Sequence, residues 1–130
     1  MPQKHRYRVM LDYIEDWLAE QDEETLKTLY ADLLILEEES PALGRPLVDR
    51  VKGSSIHNLK EFRPTSNGAS VIRILFAFDP GRNAVMLLAG DKSVGKTSRM
   101  KWNGWYAKNI PRAELVFRRH LRRMRDHGAS

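Results

Sequence analysis

Residues 87–98 read LLAGDKSVGKTS, and two folds compete for them. Gly90, Gly95, Lys96 and Thr97 satisfy G-x-x-x-x-G-K-[ST], the loop that cradles phosphate in nucleotide hydrolases. An apolar run, AVMLLA, precedes it, where that motif wants a strand. The motif also requires a helix opening directly after the loop and a parallel sheet with crossover helices. The following residues, SRMKWNGWYAKNIP, carry no helical stripe, and Asn103-Gly104 reads as a breaker. Upstream, VIRILFAFD (71–79) is rich in β-branched and aromatic residues and is the clearest strand. DPGRN turns it straight into AVMLLAG. Strands joined so tightly run antiparallel. No apolar strand ending in Asp follows to hold magnesium. The stretch therefore reads as a sheet strand followed by a basic loop, and specific binding of ATP or GTP is not expected.

Working outward, HNLKEFR is a further strand closed by Pro64, and TSNGAS carries the hairpin signal Asn67-Gly68. Three strands thus form an antiparallel meander. Residues 47–58 read as a surface connection. Near the start, YRVMLDYIEDWLAEQ is ambiguous: a short strand over Tyr7, Val9 and Leu11, turning helical at Ile14, Trp17 and Leu18. Asp22 is placed as an N-cap, with Glu23 and Glu24 where a helix dipole favours negative charge. Leu26, Leu29, Tyr30, Leu33 and Leu36 then fix an amphipathic helix over 23–38, ended by SPALGRP. Pro111 suits the first turn of a last helix, whose stripe is Ala113, Phe117, Leu121 and Met124. The class is α+β, with helices packed on a small antiparallel sheet.

A chain of 130 residues builds one domain, and 1–130 is read as a single unit. With 42% apolar and 30% charged residues the composition is globular. There is no cysteine, so neither disulfides nor thiolate metal sites are expected; no metal or other cofactor is implied. MPQKHRYRVM lacks a signal-peptide core, and no run reaches the ~20 apolar residues of a membrane span. A cytoplasmic location away from membranes is the expectation. The net charge of +5 is unevenly spread. Residues 9–40 hold eleven acids against Lys27 alone, and 91–125 hold eleven Lys and Arg against Asp91 and Glu114. The basic half suits contact with phosphate or nucleic acid.

Four pieces in order, PALGRPLVDRVKGSSIHNLKEFRP, IRILFAFDP, LLAGDKS and WYAKNIPRA, resemble the RelE/ParE toxin superfamily, in its HigB-like, phage Gp49-like branch. The resemblance covers about residues 9–125. It implies a RelE-like fold and a type II toxin–antitoxin toxin. It further implies a metal-independent endoribonuclease that cuts messenger RNA in the ribosomal A site and so inhibits translation. It also implies a cognate antitoxin, commonly a helix-turn-helix protein. The superfamily contains gyrase inhibitors too, so a non-enzymatic gyrase-directed toxin stands as the alternative, as does a catalytically degenerate relative that only binds antitoxin. The segment between GDKS and WY is longer and more basic than the branch leads one to expect.

Cleavage of RNA through its 2′-OH needs that hydroxyl activated, the phosphorane stabilised and the 5′-oxygen protonated. The histidines are poorly placed for this: His57 precedes a strand, His120 lies in the last helix, and His5 and His127 are near the ends. Arg73 interrupts VIRILFAF, and a charge there is costly unless it is paired or serves a site. Pairing with Glu61 is its structural explanation. Arg63 and Lys92 match the family's basic positions on the adjoining strands, and Lys60 is a further candidate. These four form the expected catalytic set. It contains no ready base, since a lysine titrates near 10.4. Lys96, Arg99 and Lys101 of the basic loop 93–101, Trp105 and Tyr106 as stacking groups, and Arg119 and Arg122 of the last helix form the expected RNA-contacting set. For the two aromatics, clamping the loop to the core is the competing role. For the arginines it is docking of an acidic antitoxin segment.

Overall fold

In the computed structural model, residues 7–65, 71–91 and 98–128 are described, with the side chains of 98–103 and 128 left aside. A short strand β1 (Arg8–Met10) leads through a 3-10 turn at Asp12–Ile14 into helix α1 (Glu15–Ala19) and helix α2 (Glu23–Glu39). Strands β2 (Val48–Arg50), β3 (Lys60–Phe62), β4 (Ile72–Phe78) and β5 (Asn83–Asp91) follow, and helix α3 (Ser98–Gly128) closes the chain. The sheet order is β1-β5-β4-β3-β2. β2 to β5 pair antiparallel with their neighbours, whereas β1 lies parallel to β5. The fold is α+β, as expected, and the meander of β3, β4 and β5 is the one read from the sequence.

The central strand β4 is apolar on both faces because both are covered. Ile72, Ile74 and Phe76 pack with Leu29, Leu33 and Leu36 of α2. Leu75 and Ala77 pack with Ala113 and Phe117 of α3. Phe62 and Phe76 are fully buried and meet edge to face at 6.5 Å. Each large side chain buried in this way contributes about 1.5–3 kcal/mol. A bulge sets Leu87 and Leu88 against one position of β4, between the pairs Leu75–Leu88 and Phe76–Met86. Both leucines therefore fall on the α3 side. The bulge also brings Gly90, opposite Arg73, to that side.

Asp22 caps α2 as expected, its carboxylate accepting from Thr25 N at 2.7 Å. The β4–β5 turn is closed by Asp79 N donating to Asn83 O, with Arg82 taking the left-handed conformation at φ 65°. The Asn67-Gly68 signal lies outside the described residues.

Three expectations are corrected. Within the expected surface connection 47–58, Val48–Arg50 is a strand; three residues are too few to show an alternation. The sheet is mixed, because β1 joins β5 from a distant part of the chain, a pairing that local turn signals cannot reveal. The last helix opens at Ser98 rather than at Pro111 and runs through Gly104 and Pro111. A helical glycine costs only about 1 kcal/mol and an interior proline about 3. Trp105, Ile110, Ala113 and Phe117 pack against the sheet side in return. One argument against the phosphate loop thus fails, since a helix does open at Ser98, soon after strand β5 ends at Asp91. The sheet argument stands on the β4 side, where β5 is hairpinned antiparallel, although β1 does lie parallel to β5 on the other. Gly90 serves packing instead. A Cβ there would lie 2.7 Å from Nε1 of Trp105, so the glycine makes room for the indole.

A buried polar constellation holds the Asp79 end of β4. His120 Nε2 lies 2.7 Å from Asp79 Oδ2, and its Nδ1 lies 2.7 Å from the Tyr13 hydroxyl. An ionised carboxylate only accepts, so Nε2 carries the proton towards Asp79. Asn83 donates to the same carboxylate, and Arg123 donates to the Tyr13 oxygen at 3.2 Å. Burial raises the Asp79 pKa, but the hydrogen bonds from His120 and Asn83 outweigh it and hold the group below its ordinary value of 3.8.

Two outcomes follow from this packing. Asp79 binds fewer protons folded than unfolded, so its contribution is present above the ordinary carboxyl range and is lost as pH falls through the depressed value. Asp79→Asn should lower stability at neutral pH and flatten the acid limb of a urea-unfolding series. Gly90→Ala should cost about 1–3 kcal/mol in the same assay, because the buried edge of the indole must move.

Candidate functional site

At the other end of β4, three elements bring charges together on the α3 side of the sheet. β3 alternates, so Leu59, Glu61 and Arg63 face α3 while Lys60 and Phe62 face α2. Glu61 stands opposite Leu75, an α3-side residue, and Lys60 stands opposite Phe76, an α2-side one. Arg73 extends from β4 two positions before Leu75. Tyr106 comes down from α3.

The Glu61 carboxylate is the hub. Its Oε1 lies 3.9 Å from Arg73 Nε and 3.9 Å from Arg63 Nε. Its Oε2 accepts a short hydrogen bond from the Tyr106 hydroxyl. Arg63 also reaches Asp49 Oδ2 at 3.5 Å, across the β2–β3 pair. The Glu61 and Arg73 side chains are only 7% and 12% exposed, so this is a desolvated cluster and not a surface ion pair. Burial, and then the bond to Glu61, push the Tyr106 phenol well above its ordinary pKa. It is thus a hydrogen-bond donor at all physiological pH values.

Arg73 is incompletely used. One terminal nitrogen donates to Ile72 O at 2.8 Å. Its Nε is buried, and 3.9 Å is too long for a hydrogen bond to Glu61. Among the described residues it is a buried donor with no acceptor, which is uncommon in a folded protein. A cation held in a fixed orientation with a donor unspent, beside a carboxylate, suits an anion that carries an exchangeable proton.

The structure thus brings together Arg73, Arg63 and Tyr106. Lys60 is on β3 but branches to the opposite face. Lys92 follows the last residue of β5 and, like Lys96, lies outside the described residues. Arg99 and Lys101 fall in the opening turns of α3. Trp105 packs on Gly90 and meets Tyr106 edge to face at 5.2 Å, so both aromatics anchor α3 to the sheet. Arg119 and Arg122 are exposed near the other end of α3, about 20 Å from Tyr106 at 1.5 Å per residue. Sequence reasoning gave Glu61 only a supporting part. The signal was its period-two spacing from Arg63, which puts both on one face of the strand.

The chain matches the model of the phage derived protein Gp49-like family (DUF891) over residues 16–118. It is 47% identical over 116 residues to a Mycobacterium tuberculosis protein named "Putative toxin HigB2", covering 89% of this chain and 55% of that one. It is 42% identical over 106 residues to "Putative toxin HigB3" of the same organism, covering 82% of this chain and 85% of that one. No solved structure matches it. The chain belongs to the Gp49-like family, among its HigB-type members. It spans about half the length of the first of these relatives and most of the second.

The two roles of Tyr106 separate by experiment. Tyr106→Phe removes a donor from a buried carboxylate and should destabilise the fold by about 1–3 kcal/mol in thermal or urea unfolding. A tyrosine that served only to stack on a base would leave stability unchanged.

Proposed function

We propose that this chain is the toxin of a type II toxin–antitoxin pair and acts as a ribosome-dependent endoribonuclease on messenger RNA. Its family membership and the names of its relatives support the first part. The observation that carries the second is the cluster of Glu61, Arg63 and Arg73, a carboxylate held between two fixed guanidinium groups on adjoining strands. On this reading Glu61 supplies the base that a set of lysines and arginines lacks. It takes the proton from the 2′-OH, the 2′-oxygen attacks phosphorus, and a 2′,3′-cyclic phosphate forms as the 5′-oxygen leaves. Arg73, with its unspent Nε, and Arg63 neutralise the equatorial oxygens of the phosphorane. Tyr106 orients Glu61. Lys92 is the candidate donor of the proton to the 5′-oxygen. The carboxylate is enclosed by its own partners, so the substrate must arrive already positioned. That suits an enzyme whose substrate is presented by the ribosome. The exposed arginines of α3, Arg119 and Arg122, serve ribosomal RNA or an acidic antitoxin segment, and the antitoxin is expected to be a helix-turn-helix protein. The work is done in the cytoplasm and needs no metal.

Induced expression followed by mapping of RNA 5′ ends tests the reading. New ends within translated codons are expected. Arg73→Ala should reduce them about 10²–10³-fold while the protein stays folded. Arg73→Lys should rescue poorly, because an ammonium cannot make the planar two-pronged contact. Glu61→Gln should impair cleavage more than folding. Intact RNA accompanied by gyrase-linked DNA breaks would favour the non-enzymatic alternative. If folded Arg73→Ala cleaves at the wild-type rate, Arg73 only supports the fold.

A further inference from the structure

Helix α2 is apolar on two opposite faces. Leu29, Leu33 and Leu36 turn inward and are buried. On the outward face Tyr30, Leu34 and Ile35 remain 46%, 55% and 40% exposed, with Ala31 exposed between them. A helix that is apolar all round is ordinarily buried on all sides. Here the outer half faces solvent, on the side of the sheet opposite α3 and away from the Glu61–Arg73 cluster. The patch is framed by Glu23 and Glu24 before it and Glu38 and Glu39 after it, all exposed, with Lys27 as the one cation on the helix.

This frame selects the occupant. Nucleic acid and an anionic membrane surface are repelled by the acidic ends. A second copy fits badly in either arrangement. Setting α2 against α2 brings acid-flanked helices together. Setting α2 against the basic face of α3 joins opposite sides of the sheet, so the contact is head to tail and cannot form a two-fold dimer. We infer that the outer face of α2 docks an amphipathic segment of a different protein, apolar in its middle and flanked by Lys or Arg. If the toxin reading above holds, that protein is the antitoxin, and this contact is additional to any acidic segment it lays on α3. Apolar anchors at the centre supply affinity, and the charged frame supplies register and association rate.

The test uses the full chain with the cognate antitoxin that the toxin reading implies. Leu34→Asn should fold by circular dichroism and still arrest growth, but bind the antitoxin about tenfold or more weakly and escape neutralisation. Glu24→Lys with Glu38→Lys should slow association and reduce its dependence on salt. A complex indifferent to all three substitutions overturns the docking surface while leaving the toxin reading intact. Absence of any complex with the unaltered chain overturns both. A homodimer that Leu34→Asn dissolves would show that a second copy covers the face instead.

Discussion

Burial of β4 on both faces is the constraint from which the rest follows. A strand that must hide Ile74 and Phe76 on one side and Leu75 and Ala77 on the other needs a helix on each. That fixes α2 and α3 on opposite faces and leaves β1 and β2 as short edges. It also makes any charge within the strand expensive. Arg73 is tolerated because it sits at the strand's opening end, where Glu61 and Tyr106 converge. The charged cluster is thus a local exception to the rule that organises the core, set where the strand leaves the deepest packing.

The two ends of β4 solve the problem of buried polar groups in contrasting ways. At Asp79 each carboxylate contact is a hydrogen bond of normal length, and the chain of donors continues through His120 and Tyr13 to Arg123. That end behaves as a clamp, tying the N-terminal turn, the hairpin and α3 together. At Glu61 the ion pairs are longer and a guanidinium donor is left unspent. Complete satisfaction is what a structural network requires, whereas incomplete satisfaction is what a site that exchanges partners can use.

What was legible in the sequence divides along physical lines. Strands β4 and β5, helix α2 with its Asp22 cap, and the α+β class were readable because local pattern and tertiary environment agree there. Arg73 was singled out because a charge among VIRILFAF breaks the pattern. The start of α3 was not readable, because Gly104 and Pro111 oppose helix locally and only contacts with the sheet overcome them. The β5 bulge was equally hidden. It moves one residue's alternation and so turns Gly90 to the side of Arg73, information that no spacing rule contains. Glu61 was visible as a neighbour but not as a hub, since that needs the position of Tyr106, far along the chain.

The contact of Trp105 with Gly90 has an evolutionary consequence. It ties the end of β5 to the early turns of α3 by packing that does not involve residues 92–97 themselves. Tyr106 adds a second tie through Glu61. With both flanks anchored independently, the intervening segment does not have to set the geometry of the charged cluster. Past Lys92, its length and composition can then drift, or be selected for a partner's surface, at little cost to the cluster of Glu61, Arg63 and Arg73. Only the Gly95-Lys96-Thr97 part of the phosphate-loop signature falls in that segment, whereas Gly90 is held by its packing on Trp105.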